Sequence, residues 1–180
     1  MSKKVLILST SPRRGSNSEA LAQAFARGAE AAGNEVEQIS LRGKDLRFCQ
    51  GCFACQKTGK CVIRDDMAQI VPKMEQADVL VFATPIYYYE MSGQMKTLLD
   101  RGNPLFVSDY RFRDVYFLAS AAEDEDFVPQ RAIAGLEGWI ECFPKARLAG
   151  SVFGGGVTGT GEMRQKPEKL QAAFELGRQV

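Results

Sequence analysis

Four cysteines in one short stretch, Cys49, Cys52, Cys55 and Cys61, carry the most specific chemistry in this chain. Their spacing is C-x2-C-x2-C-x5-C. Two x2 steps fold a short loop so that three sulfurs converge, and the fourth arrives as the loop returns. Thiolate-only ligation suits a [4Fe–4S] cluster or a structural zinc ion. Zinc sites more often use two separated C-x2-C pairs, so three evenly spaced cysteines lean towards iron–sulfur. The same loop also suits redox thiols without a metal. The fifth cysteine, Cys142, stands alone on a helical pattern with Trp139 and reads as core packing.

A second group of residues suits an anion. The run Ser9-Thr10-Ser11-Pro12-Arg13-Arg14-Gly15-Ser16-Asn17-Ser18 follows an apolar strand and leads into a helical pattern. Hydroxyls, free backbone N–H groups and a helix N-terminus supply oriented donors for a phosphate, and Arg13 or Arg14 adds charge. An ordinary capped connection has the same composition, but the position at the first strand–helix turn favours phosphate binding. Two other glycine motifs fall away. The run 154–161 lacks the Lys of a P-loop and has Glu162 in its place. Gly154, Gly156 and Gly159 spell G-x-G-x-x-G, but too little chain follows to complete a dinucleotide unit. This segment reads as a loop covering a bound ring.

The third group is Thr84-Pro85-Ile86-Tyr87-Tyr88-Tyr89-Glu90-Met91-Ser92-Gly93. A flat, amphipathic isoalloxazine needs apolar or aromatic surface along its face and backbone groups at its polar edge, and this loop offers both. The tyrosines equally suit a subunit interface or the core. The chain has no histidine, so neither a Ser-His-Asp nor a Cys-His nucleophile can be built. The difficult chemistry falls to a cofactor, and no side chain is singled out as catalytic.

The elements that must position these groups alternate along the chain. Apolar runs at 5–9, 35–41, 79–83, 115–122 and 148–153 read as strands. Leu21, Phe25 and Gly28 recur at helical spacing after a cap at Ser16-Asn17-Ser18, and Gly33 ends that helix. Asp65-Asp66 can cap a helix carrying Met67, Ile70, Val71 and Met74, with Pro72 predicting a kink or a late start. Met95, Leu98 and Leu99 mark a helix closed near Gly102, and helices follow over 132–140 and 167–177. Residues 84–92 read as a loop. The alternation predicts a doubly wound parallel α/β sheet of five strands, in the flavodoxin-like order 2-1-3-4-5, between helical layers. Ligands of such sheets bind beyond the carboxyl ends of the strands, where the winding reverses. With no linker or repeat, 1–180 reads as a single domain with a cysteine-rich loop insertion at 46–64.

The phosphate run, the Thr84-Pro85-Ile86-Tyr87 turn and Gly93-Gln94-Met95-Lys96 through Asp100-Arg101 together resemble the NADPH-dependent FMN reductases. With the cysteine run, the chain is most similar to the iron–sulfur flavoprotein branch of that family. The resemblance implies that Ser9, Ser11, Arg13, Ser16, Asn17 and Ser18 surround the FMN phosphate. It implies that Pro85, Ile86, Tyr87 and Tyr88 lie along the ring, and that Ser120, Ala121, Ala122 and Glu123 approach its other edge. The four-cysteine spacing matches the compact motif of that branch, so Cys49, Cys52, Cys55 and Cys61 would hold the [4Fe–4S] cluster. Asp100 and Arg101 would form an ion pair fixing the helix after the ring loop. A homodimer or homotetramer with the flavin near a subunit boundary is expected. One departure is the acidic run Glu123-Asp124-Glu125-Asp126, where such proteins often carry glycines. It disfavours an anionic reduced ring or a phosphate-bearing donor.

Composition bounds the rest. Hydrophobic residues make up 45% and charged residues 25%, and the net charge is +1, which leaves no electrostatic footprint for nucleic acid or a membrane. The apolar run after Lys3-Lys4 is too short for a signal-peptide core, so the cytoplasm is the expected location and reduced thiols the expected state. The reading is an FMN-dependent oxidoreductase moving electrons from NAD(P)H or a reduced protein donor to a quinone, flavin or other small-molecule acceptor. The alternative is an iron–sulfur flavoprotein that carries electrons between a ferredoxin-like partner and FMN, with no small substrate.

Overall fold

A computed structural model describes residues 2–180. Five parallel strands, β1 (Lys4–Ser9), β2 (Glu35–Ser40), β3 (Val79–Tyr87), β5 (Asp114–Ser120) and β6 (Arg147–Gly154), stand in the spatial order β2-β1-β3-β5-β6. A two-residue strand, β4 (Glu90–Met91), pairs antiparallel with β3 alone. Setting β4 aside, the order is the one expected from the sequence, and the winding reverses between β1 and β3.

The central strands are apolar throughout because both faces are covered. Val5, Ile7, Val79, Val81 and Leu118 pack on α1 (Asn17–Ala31) and α6 (Pro167–Arg178). Leu6, Leu8, Leu80, Phe82 and Phe117 pack on α3 (Met67–Gln76), α4 (Gly93–Arg101) and α5 (Gln130–Ile140). α1 and α6 cross at two glycines. A Cβ on Gly28 would fall 2.0 Å from Phe174 O, and one on Gly177 would fall 2.1 Å from Phe25 O. α1 starts as expected, with Ser16 Oγ accepting from Glu19 N at 3.2 Å. No helix among the described residues is long and apolar enough to cross a membrane.

The structure corrects four local expectations. β3 does not stop at Ala83: Thr84 and Pro85 stay paired with Ala119 and Ser120, and the predicted 84–92 loop is largely a hairpin. Ala83 O accepts from Thr10 N on the β1 side, so Pro85, two residues on, turns its missing N–H to that same side. β1 has already ended there, and no ladder bond is lost. Tyr88 and Tyr89 make the turn with φ of 51° and 66°, the paired positive values of a tight hairpin. α3 begins at Met67 and runs through Pro72, so the late start does not occur. Its N-cap residue Asp66 makes no capping bond, because its carboxylate accepts from Asp45 N instead, and Asp65 takes Met67 N. Cys142 is exposed rather than in the core, its thiol facing Gly138 O at 3.7 Å one turn back. Arg101 pairs with Asp65 rather than with its chain neighbour Asp100, which meets Lys96 on the surface. Adjacent helix residues point in different directions, and only Arg101 turns inward.

Candidate functional site

The carboxyl ends of β1, β3 and β5 open on one cleft of about 190 Å³. Ser11, Arg13, Ser16 and Asn17 line one side of it. Pro85, Ile86 and Tyr87, with Ser120, Ala121 and Ala122, line the other. Ser9 and Ser18 are buried and do not reach the cleft wall. Tyr88 projects from the hairpin tip, 98% exposed, and Glu123 lies outside the wall. Val157, Thr158 and Thr160 complete the lining. The glycine-rich stretch around them predicts a covering loop but does not by itself single out these three residues. The signal that identifies them is a pair of threonines inside that stretch.

Hydroxyls bind the two sides of the cleft together from below. Thr10 Oγ1 donates to Ala83 O at 3.1 Å and lies 3.0 Å from Ser92 Oγ, and Ser92 N donates to Thr84 Oγ1 at 3.1 Å. The anion loop, β3 and the N-terminus of α4 thus share one buried network. The first turn of α1 leaves the N–H groups of Asn17 and Ser18 without an intrahelical acceptor, and they form the positive end of the helix dipole.

The covering loop is held by the anion loop's own side chains. Arg13 Nη1 donates to Thr158 O at 2.8 Å, and Asn17 Nδ2 donates to Gly159 O at 2.9 Å. Gly155 passes so close to the chain after β5 that a Cβ would fall 2.4 Å from Glu123 O. Beside the hairpin the Tyr89 ring stacks on Phe127 at 6.0 Å with Arg131 over it at 5.7 Å, and the neighbouring Glu123 carboxylate pushes its phenol pKa up. The arrangement suits a ligand with an anionic group at α1 and a flat face along Pro85–Tyr87.

The cysteine loop closes around a separate small cavity of about 20 Å³, lined by Cys49, Cys52, Cys55 and Cys61 together with Arg101. Cys55 is buried at the start of a one-turn helix, α2 (Ala54–Thr58), whereas Cys49 and Cys52 are exposed. Burial pushes the Cys55 thiol up, and the neighbouring Cys61, Cys49 and Cys52 add to it. Among the described residues no three Cys, Asp or Glu side chains are grouped closely enough to hold a metal ion.

The neck of the loop is closed by a buried ion pair. Arg101 Nη1 and Nη2 donate to the Asp65 carboxylate at 2.5 and 2.8 Å, and Nη1 also donates to Arg47 O at 2.6 Å. Both side chains are wholly buried. Burial alone would raise the Asp65 pKa, but Arg101 and the N–H groups of Arg47 and Met67 outweigh it and hold the carboxyl below its ordinary range.

A family model described as NADPH-dependent FMN reductase matches residues 3–132. An iron-sulfur flavoprotein of Methanocaldococcus jannaschii is 40% identical over 102 residues, 57% of this chain and 53% of that protein. An iron-sulfur flavoprotein of Methanosarcina thermophila is 28% identical over 156 residues, 86% of this chain and 82% of the relative. The chain spans about half the length of the first curated relatives it matches. Among solved structures, an NAD(P)H:quinone oxidoreductase from Methanothermobacter marburgensis superposes with a TM-score of 0.71 at 20% identity, over 99% of this chain and 96% of that one. That likeness concerns the fold, which is flavodoxin-like.

Proposed function

Because this chain belongs to the NADPH-dependent FMN reductase family, we propose that it binds FMN in the cleft and passes electrons from NAD(P)H or a reduced protein donor to a small acceptor such as a quinone or flavin. The observation that carries this is the cleft itself, with hydroxyls, Arg13 and the start of α1 on one side and Pro85–Tyr87 on the other. The residues present fit the group. The buried Thr10–Ser92–Thr84 network holds both sides in register, and glycine at 155 admits a close backbone approach that a Cβ would block.

FMN, when bound, supplies the electron chemistry, and the protein's own residues bind and orient it. Ser11, Arg13, Ser16 and the first-turn N–H groups of α1 hold the phosphate, with Ser9 and Ser18 supporting that loop from beneath. Asn17 positions the covering loop. Pro85, Ile86 and Tyr87 lie along the ring, with Tyr88 at the rim, and Ser120, Ala121 and Ala122 border the opposite edge, Glu123 lying just beyond them outside the wall. Val157, Thr158 and Thr160 limit water entry. The acidic run Glu123–Asp126, which follows the cleft-lining Ser120–Ala122 in the chain, disfavours donors bearing phosphate, which supports a reduced protein donor beside NAD(P)H.

A second reading rests on the cysteine cavity. Four thiols around one small space next to a buried guanidinium fit a [4Fe–4S] cluster, whose four irons spread the ligands apart, better than one zinc ion, which gathers them at about 2.3 Å. Such a group would take single electrons from a ferredoxin-like partner, and the relatives named iron-sulfur flavoproteins support it. In this reading residues 1–180 act as one FMN-binding domain with the loop 46–64 inserted, assembled as a homodimer or homotetramer in the cytoplasm, without nucleic-acid or membrane partners. The test is an absorption spectrum of protein purified without oxygen, with iron, sulfide and zinc analysis. A flavin spectrum without metal supports the reductase alone. Flavin with near four irons per chain supports the electron carrier, and protein that fails to take up added FMN overturns both.

A further inference from the structure

Arg101 contributes the buried charge in the wall of the cysteine cavity. Phe53, Val62, Ile63 and Pro104 make much of the remaining surface apolar, and the Asp100 carboxylate turns to Lys96 outside. Two of the three guanidinium nitrogens are spent at the neck of the loop, on Asp65 and on Arg47 O. The third, Nε, is buried and has no hydrogen-bond partner. A buried donor left unpaired costs about 1–3 kcal/mol, more when charged, so its persistence calls for an acceptor. Among the groups lining the cavity, Gln50 and Asn103 offer amide oxygens and the four cysteines offer sulfurs, and it is the Cys61 sulfur that lies against the guanidinium and helps raise its pKa. The neck bonds also prevent the guanidinium from swinging out to water, because moving it would open the loop at both Arg47 and Asp65.

We propose that Arg101 is a positioning residue of the four-cysteine cavity, its Nε–H and fixed positive charge directed at the sulfurs of an iron–sulfur group and raising that group's reduction potential. The inference rests on the second reading above. One-electron reduction adds one negative charge beside the guanidinium, with no bond made or broken and no proton moved. The electron comes from the reduced protein donor, or from dithionite in the test. A fixed cation with an N–H to sulfur stabilises the more negative state. Asp65 opposes it, so the two members of one ion pair act on the potential with opposite signs. A brace that merely closed the loop would show no such opposition.

The experiment uses the full chain, purified without oxygen and loaded with iron and sulfide, in wild-type, Arg101→Gln and Asp65→Asn forms. Iron and sulfide are quantified, and the potential is read by dithionite titration followed by absorption and electron paramagnetic resonance. Arg101→Gln is expected to raise the oxidised-to-reduced ratio at a given potential about tenfold, which is about 59 mV downward for a one-electron couple. Asp65→Asn is expected to move it the other way. Should Arg101→Gln fail to fold, the upward shift in Asp65→Asn still decides, because loosening the neck does not by itself add positive potential. Wild-type potentials in both loaded variants overturn the proposal and leave Arg101 a brace. Wild-type protein that binds FMN but takes up neither iron nor sulfide overturns the cluster reading, and the proposal with it.

Discussion

Asn17 holds Gly159 across 142 positions of sequence, its Nδ2 donating to the glycine carbonyl at 2.9 Å. The same side chain accepts from Met163 N at 3.0 Å through Oδ1. The first residue of α1 therefore sets the covering loop in place with both halves of its amide, while its backbone N–H remains for the anion. Asn17→Ala deletes two hydrogen bonds of about 1 kcal/mol each. FMN affinity is expected to fall about tenfold or more, read by quenching of flavin fluorescence. An unchanged dissociation constant would show that the loop plays no part in binding.

The double variant Ser11→Ala with Arg13→Ala is expected to weaken FMN more strongly. A hydrogen bond to a charged group contributes about 1.5–3 kcal/mol, so the loss is roughly 10–100-fold or greater. Riboflavin, which has no phosphate, provides the internal control. Equal losses for FMN and riboflavin would place the effect away from the phosphate.

The Asp65–Arg101 pair predicts acid sensitivity. The folded carboxyl titrates below its unfolded value of about 3.9, so its stabilisation is present above that pH and is lost as pH falls through the lower folded value. Asp65→Asn is expected to flatten stability against pH in that acid range. At neutral pH it is expected to cost about 3–5 kcal/mol, because it leaves a buried cation uncompensated. Denaturant unfolding at pH 7 and pH 3 measures both; a steep acid limb that survives the substitution assigns the sensitivity elsewhere.

Cys52→Ser is expected to remove iron while FMN content stays at the wild-type level, because the cysteine cavity and the cleft are lined by separate residues. Metal analysis beside the flavin spectrum reads both at once. Full iron retention excludes Cys52 as a ligand.

Gly177→Ala is expected to strain the α1–α6 crossing, since the new methyl would meet backbone rather than a side chain able to move aside. A cost of about 2–3 kcal/mol corresponds to a fall in Tm of roughly 5–10 °C. Thermal unfolding that matches the wild type would mean the helices separate without loss.

The chain's own residues determined a good deal. Strands buried on both faces announce themselves as apolar runs such as Val5–Leu8, and Ser16 as a cap followed by helical spacing marks where the first helix and the anion site proposed at its start begin. Four cysteines in thirteen consecutive positions brought together the walls of one cavity, because short-range chain closure needs little outside help. Tertiary structure decided what depends on residues far apart. Asp65 as the partner of Arg101 lies 36 positions away, and nothing local distinguishes it from Asp100. Val157, Thr158 and Thr160 join the cleft only because Arg13 and Asn17 reach across to their loop. Pro85 could stay in a strand only because β1 ends first, a fact about neighbours rather than about the residue. Pattern and spacing express what a segment does with its own bonds and faces; which segment receives the remaining donors is set by how the sheet is wound.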